Sequence, residues 1–284
     1  MKLIRWGDAG REKPGLLLPD GARIDAASFG EDYDEEFFAS GGIDRLTNWV
    51  RQEGASAPRL PEATRLGPAL GRPSKLVCIG LNYADHARET KAKTPSEPVI
   101  FFKATSAWHG PNDDVVLPRG SVKTDWEVEL AVVIGKPARY ITREQALDHV
   151  AGFALHNDYS ERALQIERGG QWVKGKSADT FAPFGPFMAT RDEVPGFQNL
   201  GMWLKVNGVP RQTSSTSNMI FDVLFVVAYV SEFMTLLPGD VISTGTPAGV
   251  AMGMETPAYL KEGDVVELGI DGLGTQRQRI VAPR

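Results

Sequence analysis

Three carboxylates fall at alternate positions in Asp125-Trp126-Glu127-Val128-Glu129-Leu130. Side chains of a strand alternate between faces, so Asp125, Glu127 and Glu129 point one way and Trp126, Val128 and Leu130 the other, with i and i+2 about 6.6 Å apart. Turned to water, such an acidic face belongs to a half-buried edge strand. The continuation Ala131-Val132-Val133-Ile134 is apolar on both faces, and a strand buried on each side cannot keep like charges without protons or a cation. A hard divalent ion held by Glu127 and Glu129 resolves that conflict, and an all-oxygen shell suits Mg²⁺, Mn²⁺ or Ca²⁺ better than zinc. Asp158, which ends the apolar run before Tyr159-Ser160, is the next candidate ligand. It also reads as the N-cap of a helix over 160–165, and the two roles are compatible because one oxygen can cap while the other coordinates. His156 lies two residues away, but no cysteine or second histidine nearby completes the tetrahedral N/S set that zinc prefers.

His86 and Glu89 stand three apart in Asn82-Tyr83-Ala84-Asp85-His86-Ala87-Arg88-Glu89, hence on one face of a short helix, for which Asn82 reads as the N-cap and Asp85 as its box-like partner. A carboxylate beside an imidazole can fix its tautomer and raise its basicity, the geometry of a general base; the same pair also occurs as a plain exposed helix contact. Its position after a Gly turn and before the Pro-broken KAKTPSEP, a possible lid, favours the catalytic reading. Gly170 to Ser177 fits the bare phosphate-loop pattern, yet no apolar strand precedes it and Pro183 and Pro186 forbid a long helix after it. Lys176 in that Gly- and Pro-fixed stretch reads either as a surface lysine or as a cation for a substrate carboxylate or developing oxyanion. Ser243-Thr244-Gly245-Thr246-Pro247 closes a strand with small residues, a loop able to bring backbone N–H groups and a hydroxyl to an anion.

The elements that position these residues follow from pattern. Residues 2–6, 15–18 and 22–26 read as strands, with Asp20-Gly21 as a hairpin turn. Between 54 and 74 the composition shifts to Pro, Gly and Ala, which sets a small N-terminal β-rich domain with its linker over 1–70 and a catalytic domain over 71–284. Residues 76–79 and 126–134 read as strands, 143–149 as a short helix and 221–237 as a buried helix stopped by Pro238-Gly239. Two Gly-Asp turns, at 239–240 and 263–264, each precede a β-branched strand, so the expected class is α+β, a β-rich roll with few helices.

With 31 Lys+Arg against 36 Asp+Glu in 284 residues, the chain carries a net −5 and no basic cluster, which leaves little electrostatic reason to bind nucleic acid. No stretch reaches the ~20 apolar residues that cross a bilayer. One cysteine, Cys78, cannot form an internal disulfide, and MKLIRWGDAG lacks a signal-peptide apolar run, so a cytoplasmic protein is expected.

In order, G-L-N-Y-A-D-H-A-R-E, D-W-E-V-E-L-A-V-V-I-G, H-N-D-Y-S-E-R, K-G-K-S-A-D-T-F-A-P-F-G-P and S-T-G-T-P-A-G-V resemble the fumarylacetoacetate hydrolase family over about residues 75 to 270. The resemblance implies a mixed β-roll catalytic domain, a homodimer or higher homo-oligomer, and bound Mg²⁺ with Mn²⁺ or Ca²⁺ as substitutes. It implies Glu127, Glu129 and Asp158 as metal ligands, His86 and Glu89 as the water-activating dyad, Lys176 as the oxyanion and carboxylate cation, and Gln165 and Thr246 as substrate contacts. The family's larger founding enzyme has a further acidic ligand seven residues before the histidine; Ile79 stands there, so the site resembles the three-carboxylate bacterial branch.

Such a site suits a 2,4-diketo acid substrate: water activated by His86 attacks the C4 carbonyl, and C3–C4 cleavage releases the enolate of pyruvate, whose charge Lys176 and the ion share. Within the family the motifs around His86 and Lys176 are most similar to the 2,4-diketo-3-deoxy-L-rhamnonate or L-fuconate hydrolases, which yield pyruvate and lactate. Rival readings are an oxaloacetate decarboxylase or acylpyruvate hydrolase, a ureidoglycolate lyase, and a non-catalytic binding protein stabilised by metal.

Overall fold

Strand formers bounded by turn residues dominate the chain, and the computed structural model, which describes residues 1–89 and 94–283, folds them into ten-, five- and two-stranded sheets. The large sheet runs in the order Arg23–Asp25, Lys13–Leu17, Lys2–Trp6, Ala182–Thr190, Val150–Asn157, Val128–Ile134, Val241–Ser243, Leu76–Gly80 and Val99–Lys103, with Trp108–His109 pairing Ala182–Thr190 off this path. Most pairs are antiparallel, but Val241–Ser243 runs parallel to Leu76–Gly80, which makes the sheet mixed. The second sheet, Val209–Ser215, Gly201–Val206, Val265–Ile270, Gly274–Val281 and Val115–Val116, supplies the other half of this α+β, β-rich roll. The three N-terminal strands continue the large sheet through the pairing of Lys2 with Ala189 and Leu3 with Met188.

Register decides what meets at the site. Glu129 lies directly opposite His156, Ala131 opposite both Ala154 and Ser243, and Ser243 opposite Cys78. Cross-strand partners share a face, so Glu129, His156 and Ser243 project to the same side of the sheet. The Val128–Ile134 strand is buried along its whole length, as the two-sided apolar continuation after Glu129 predicts. Burying each large aliphatic side chain contributes about 1.5–3 kcal/mol, and this strand carries five of Val, Leu or Ile.

The short helix expected around His86 is Ala84–Glu89, but Asn82 does not cap it. Its amide instead donates to the carbonyls of Phe221 and Thr244 and accepts from the Phe221 N–H, tying three segments together. Of the loop expected after the helix, residues 91–93 lie outside the described residues. The helix expected over 160–165 is Arg162–Ile166, and its cap is the Glu161 carboxylate, which accepts from the Ala163 N–H, rather than Asp158. The expected 143–149 helix is only a 3₁₀ turn, Ala146–His149. The apolar helix is Val223–Phe233, shorter than the 221–237 run, because the Asp222 side chain accepts from the Phe225 N–H and fixes its start. It buries Val223, Val226, Val227 and Val230, while Phe225 and Phe233 are exposed within an i,i+4 stack of Phe221, Phe225, Tyr229 and Phe233. The two Gly-Asp turns lead into different sheets, Val241–Ser243 in one and Val265–Ile270 in the other.

Candidate functional site

Glu127, Glu129 and Asp158 converge although 29 residues separate Glu129 from Asp158 in sequence: they are 5%, 2% and 0% exposed, and one oxygen from each lies within 4.8 Å of the others. The register above brings Glu129 beside His156, and the Asp158 N–H donates to the Glu127 carbonyl at 2.9 Å, closing the turn that carries the third acid back to the first.

Cations hold two of the three. Lys176 Nζ bridges Glu127 Oε2 at 2.6 Å and Asp158 Oδ2 at 2.8 Å; Lys103 Nζ donates to Asp158 Oδ1 at 2.5 Å and to the Tyr159 carbonyl at 3.0 Å. Arg162 reaches Glu127 Oε1 at 2.7 Å and Asp125 Oδ2 at 2.9 Å, and gives a third hydrogen bond to Gln165 Oε1. Asp125, the third acid of the alternating triplet, is thus engaged by Arg162 and by the N–H groups of Ala251 and Met252. Glu129 has only neutral donors among the described residues: the Ser243 hydroxyl at 2.5 Å and the Gly245 N–H at 2.9 Å, both on Oε2. Gly245 has φ +98°, and a Cβ there would lie 2.9 Å from that of Asn82 and 3.0 Å from the Ile79 carbonyl, so only glycine presents its N–H in this way. The small-residue loop therefore does meet an anion, and the anion is the protein's own Glu129.

Electrostatics follow the same division. Burial by itself would raise the Asp158 carboxyl, but the Lys103 and Lys176 ammoniums overcome it and hold that carboxyl well below the usual range. Burial raises Glu129 well above the ordinary carboxylate range, and the neighbouring Asp158 and Glu127 add to the rise. Burial opposes the charge on Lys176, yet Asp158 and Glu127 hold its pKa above that of a free lysine. Lys103, with one carboxylate partner, is lowered by burial.

The donor set fits a single hard cation. Twice a metal–oxygen distance of about 2.1 Å for Mg²⁺ or ~2.4 Å for Ca²⁺ gives about 4.2–4.8 Å as the widest oxygen separation around one ion. Counted as ionised, Asp125, Glu127, Glu129 and Asp158 outnumber Lys103, Lys176 and Arg162 by one charge, and Glu129, the acid without a cation among the described residues, is the one burial pushes toward its neutral form. Carboxylate oxygens have two lone pairs each, so the lysine contacts do not exhaust Glu127 and Asp158.

A cleft opens onto this cluster. His86 lines it, buried, with Nδ1 3.6 Å from Glu89 Oε2, and both Glu89 oxygens accept from the Gly249 N–H at 3.0 Å. Gln165 and Thr246 also line it; the Thr246 hydroxyl donates to the Val128 carbonyl and accepts from Gln212 Nε2. Lys176 ends the Val173–Lys176 helical turn, and Trp172 one turn earlier packs edge-on against Phe101 with ring centroids 5.2 Å apart. A Cβ on Gly80 would lie 2.5 Å from the Trp172 ring, so glycine at the strand end makes room for it. The cleft thus collects all eight residues singled out in the sequence except Asp158, which lies beneath Lys176, and Glu89, which lies behind His86. Sequence reasoning missed Lys103 and Arg162; a lone lysine closing the apolar run Val99-Ile100-Phe101-Phe102 was the available signal for the first.

Residues 75–281 match the family described as fumarylacetoacetate (FAA) hydrolase C-terminal. A Burkholderia multivorans protein named "Putative hydrolase" is 50% identical, with all of both chains covered. Among solved structures, the fumarylacetoacetate hydrolase from psychrophilic Exiguobacterium antarcticum is 37% identical with a TM-score of 0.85, both chains fully covered. Maleylpyruvate hydrolase from Sphingobium sp. SYK-6, in complex with manganese(II) ion and pyruvate, is 30% identical with a TM-score of 0.83 at the same coverage. The 2-hydroxyhepta-2,4-diene-1,7-dioate isomerase from Mycobacterium marinum is 32% identical with a TM-score of 0.76, covering 99% of this chain and 98% of that one. No helix among the described residues is long and apolar enough to cross a membrane.

Proposed function

The chain belongs to the fumarylacetoacetate hydrolase family and is a hydrolase of carbon–carbon bonds, and on that premise we propose that it cleaves the C3–C4 bond of a 2,4-diketo acid to release pyruvate. The substrate of this reading is a 2,4-diketo-3-deoxy sugar acid of the L-rhamnonate or L-fuconate type, with lactate as the second product. The observation that carries it is the juxtaposition, at one cleft, of His86, the Lys176 ammonium and a buried carboxylate triad whose Glu129 has no cationic partner among the described residues. Glu127, Glu129 and Asp158 would hold Mg²⁺, which supplies positive charge where the substrate's carboxylate and 2-oxo group bind.

The chain's own residues do the rest. His86, oriented by Glu89, takes a proton from water as the oxygen adds to C4. The C3–C4 electron pair then leaves as the enolate of pyruvate, and Lys176 donates a hydrogen bond to its developing negative charge. C3 takes the proton held by His86, which restores the base, and C4 departs as a carboxylic acid that ionises in water. Gln165, held by Arg162, and Thr246, held by Gln212, shape the wall the substrate lies against. Every one of these residues falls in the 71–284 domain, which leaves the 1–70 domain outside the chemistry; a cytoplasmic homodimer completes the reading.

A specific feature favours a second substrate. Ile79, Leu81, Phe101, Ile166, Trp172 and Met252 line the cleft, an apolar wall that suits a longer hydrocarbon acyl group better than the short hydroxyethyl end that leaves as lactate. An acylpyruvate would use the same proton transfers with a different distal fit. The test is to incubate the Mg²⁺-loaded protein with the diketo-deoxy sugar acid, with acylpyruvates of increasing chain length and with oxaloacetate, and to assay pyruvate and lactate. Lactate from the sugar acid at the highest kcat/KM supports the first reading; faster turnover of long acylpyruvates replaces it with the second; pyruvate from oxaloacetate alone overturns both.

A further inference from the structure

His156 is fully buried on the Val150–Asn157 strand and is not among the residues the reaction above requires. It faces Glu129 across the strand pair, and Ser243 bridges the two: His156 Nδ1 lies 2.7 Å from Ser243 Oγ, and Ser243 Oγ lies 2.5 Å from Glu129 Oε2. The other ring nitrogen, Nε2, is buried without a hydrogen-bond partner among the described residues. The order of donors along this chain is fixed by chemistry. A cation on the site requires Glu129 to be ionised, and an ionised carboxylate only accepts, so in the loaded site Ser243 gives its single proton to Glu129 and its oxygen must accept from the ring. His156 is therefore the Nδ1–H tautomer, and the unpartnered Nε2 is the bare nitrogen.

We propose that His156 is a positioning residue of the cation site, acting through Ser243 to lock Glu129 Oε2 inward and leave Oε1 as the oxygen offered to the ion. The inference rests on the reading of Glu127, Glu129 and Asp158 as the cation's ligands. Glu127 and Asp158 have both oxygens held by charged side chains, whereas Glu129 has Oε2 doubly held, by Ser243 and Gly245, and no donor among the described residues on Oε1. A free Ser243 rotor could satisfy its oxygen elsewhere; with His156 donating into it, the hydroxyl has one orientation and so does the carboxylate. The arrangement supplies a one-oxygen ligand with its rotation already fixed, which lowers the ordering cost when the ion binds.

The side chain that best separates this role from space filling is asparagine. Its amide N–H₂ sits near the position of Nδ1, whereas that of glutamine sits near Nε2. Mn²⁺ affinity, read by electron paramagnetic resonance of the free ion, is expected to fall about 10- to 100-fold in His156→Leu, His156→Gln and Ser243→Ala, and to stay within about threefold of the parent in His156→Asn. The double variant His156→Leu/Ser243→Ala should lose no more than Ser243→Ala alone, since the two residues act in series. Unchanged affinity in folded His156→Leu, equal losses in the Asn and Leu variants, or additive losses in the double variant would overturn the proposal. Should the variants fail to fold, imidazole ¹⁵N spectra of the unaltered Mg²⁺-loaded protein decide it, with only four histidines to resolve: protonated Nδ1 and bare Nε2 are expected at His156, and the reverse tautomer sinks the relay. A parent protein that binds no Mn²⁺ refutes the ligand reading itself, an outcome distinct from all of these.

Discussion

Two charge clusters with the same imbalance lie in different surroundings. Near the N-terminus, Arg5 and Arg65 bind Glu12, Asp32 and Asp113, three acids to two cations. In the cleft, four acids meet three cations. Counted as ionised, each cluster is one negative charge in excess, but side-chain exposures differ at its edges: Asp32 and Asp113 are 35% and 20% open to water, though the Glu12 between the arginines is 6%, against 0% for Asp158 and 6% for Glu127. Water and salt disperse the first excess within a Debye length of about 8 Å. The second has no solvent to disperse it, and the energy between unit charges a few ångströms apart rises several-fold as the effective dielectric falls. Equal charge counts therefore have unequal meanings. The outer cluster ties Arg65 of the N-terminal region to Asp113 with water to spread the excess, while the buried one must take up a proton, on Glu129, or a cation.

The largest break in that comparison comes from Lys176→Met. The substitution removes the ammonium that two buried carboxylates share, and breaking a buried ion pair on one side costs about 3–5 kcal/mol, because the remaining charge stays buried. Urea unfolding of the metal-free variant should show that loss, together with a fall in turnover of at least about 10²-fold. A variant as stable as the parent would mean that the cluster is wetter than its burial implies. His86→Ala comes next and separates chemistry from charge balance. His86 belongs to neither cluster, so its removal should lower kcat about 10²- to 10⁴-fold while Mn²⁺ affinity stays at the parent value. Undiminished turnover in that variant removes His86 from the role of base.

What the sequence could announce in advance was whatever depends on local period. Glu127 and Glu129 stand out because strand alternation sets them on one face just before Ala131 to Ile134 turn apolar on both. His86 and Glu89 stand out by helical spacing. The partners were hidden because they arrive from far along the chain. Lys103 lies 55 residues from Asp158, and Arg162 lies 35 from Glu127. A lysine closing an apolar strand reads as its solvated end, and an arginine in Ser-Glu-Arg as a surface charge. Asn82 and Asp158 carried good capping signals, but each amide or carboxylate can bond only a few partners. Long-range groups took them: Phe221 and Thr244 for Asn82, and the two lysines for Asp158. Local propensity yields wherever a buried polar group has a stronger claimant elsewhere in the fold.

Asp32→Asn tests the quiet side of the comparison. The Arg5 guanidinium grips Asp32 through two parallel contacts of 2.8 Å, Nε to Oδ1 and Nη2 to Oδ2, and the Tyr33 N–H adds a third at 2.9 Å. In a buried setting such a grip would be worth several kcal/mol. Asp32 is about one-third exposed, so water replaces much of what the substitution removes, and Asn keeps an acceptor for the Tyr33 N–H. The expected loss is about 1 kcal/mol or less in urea unfolding, shrinking further at high salt, with kcat/KM unchanged. A loss that matched Lys176→Met, or one indifferent to salt, would show that exposure is not what separates the two clusters and that the cleft's unbalanced charge has no special need of an ion.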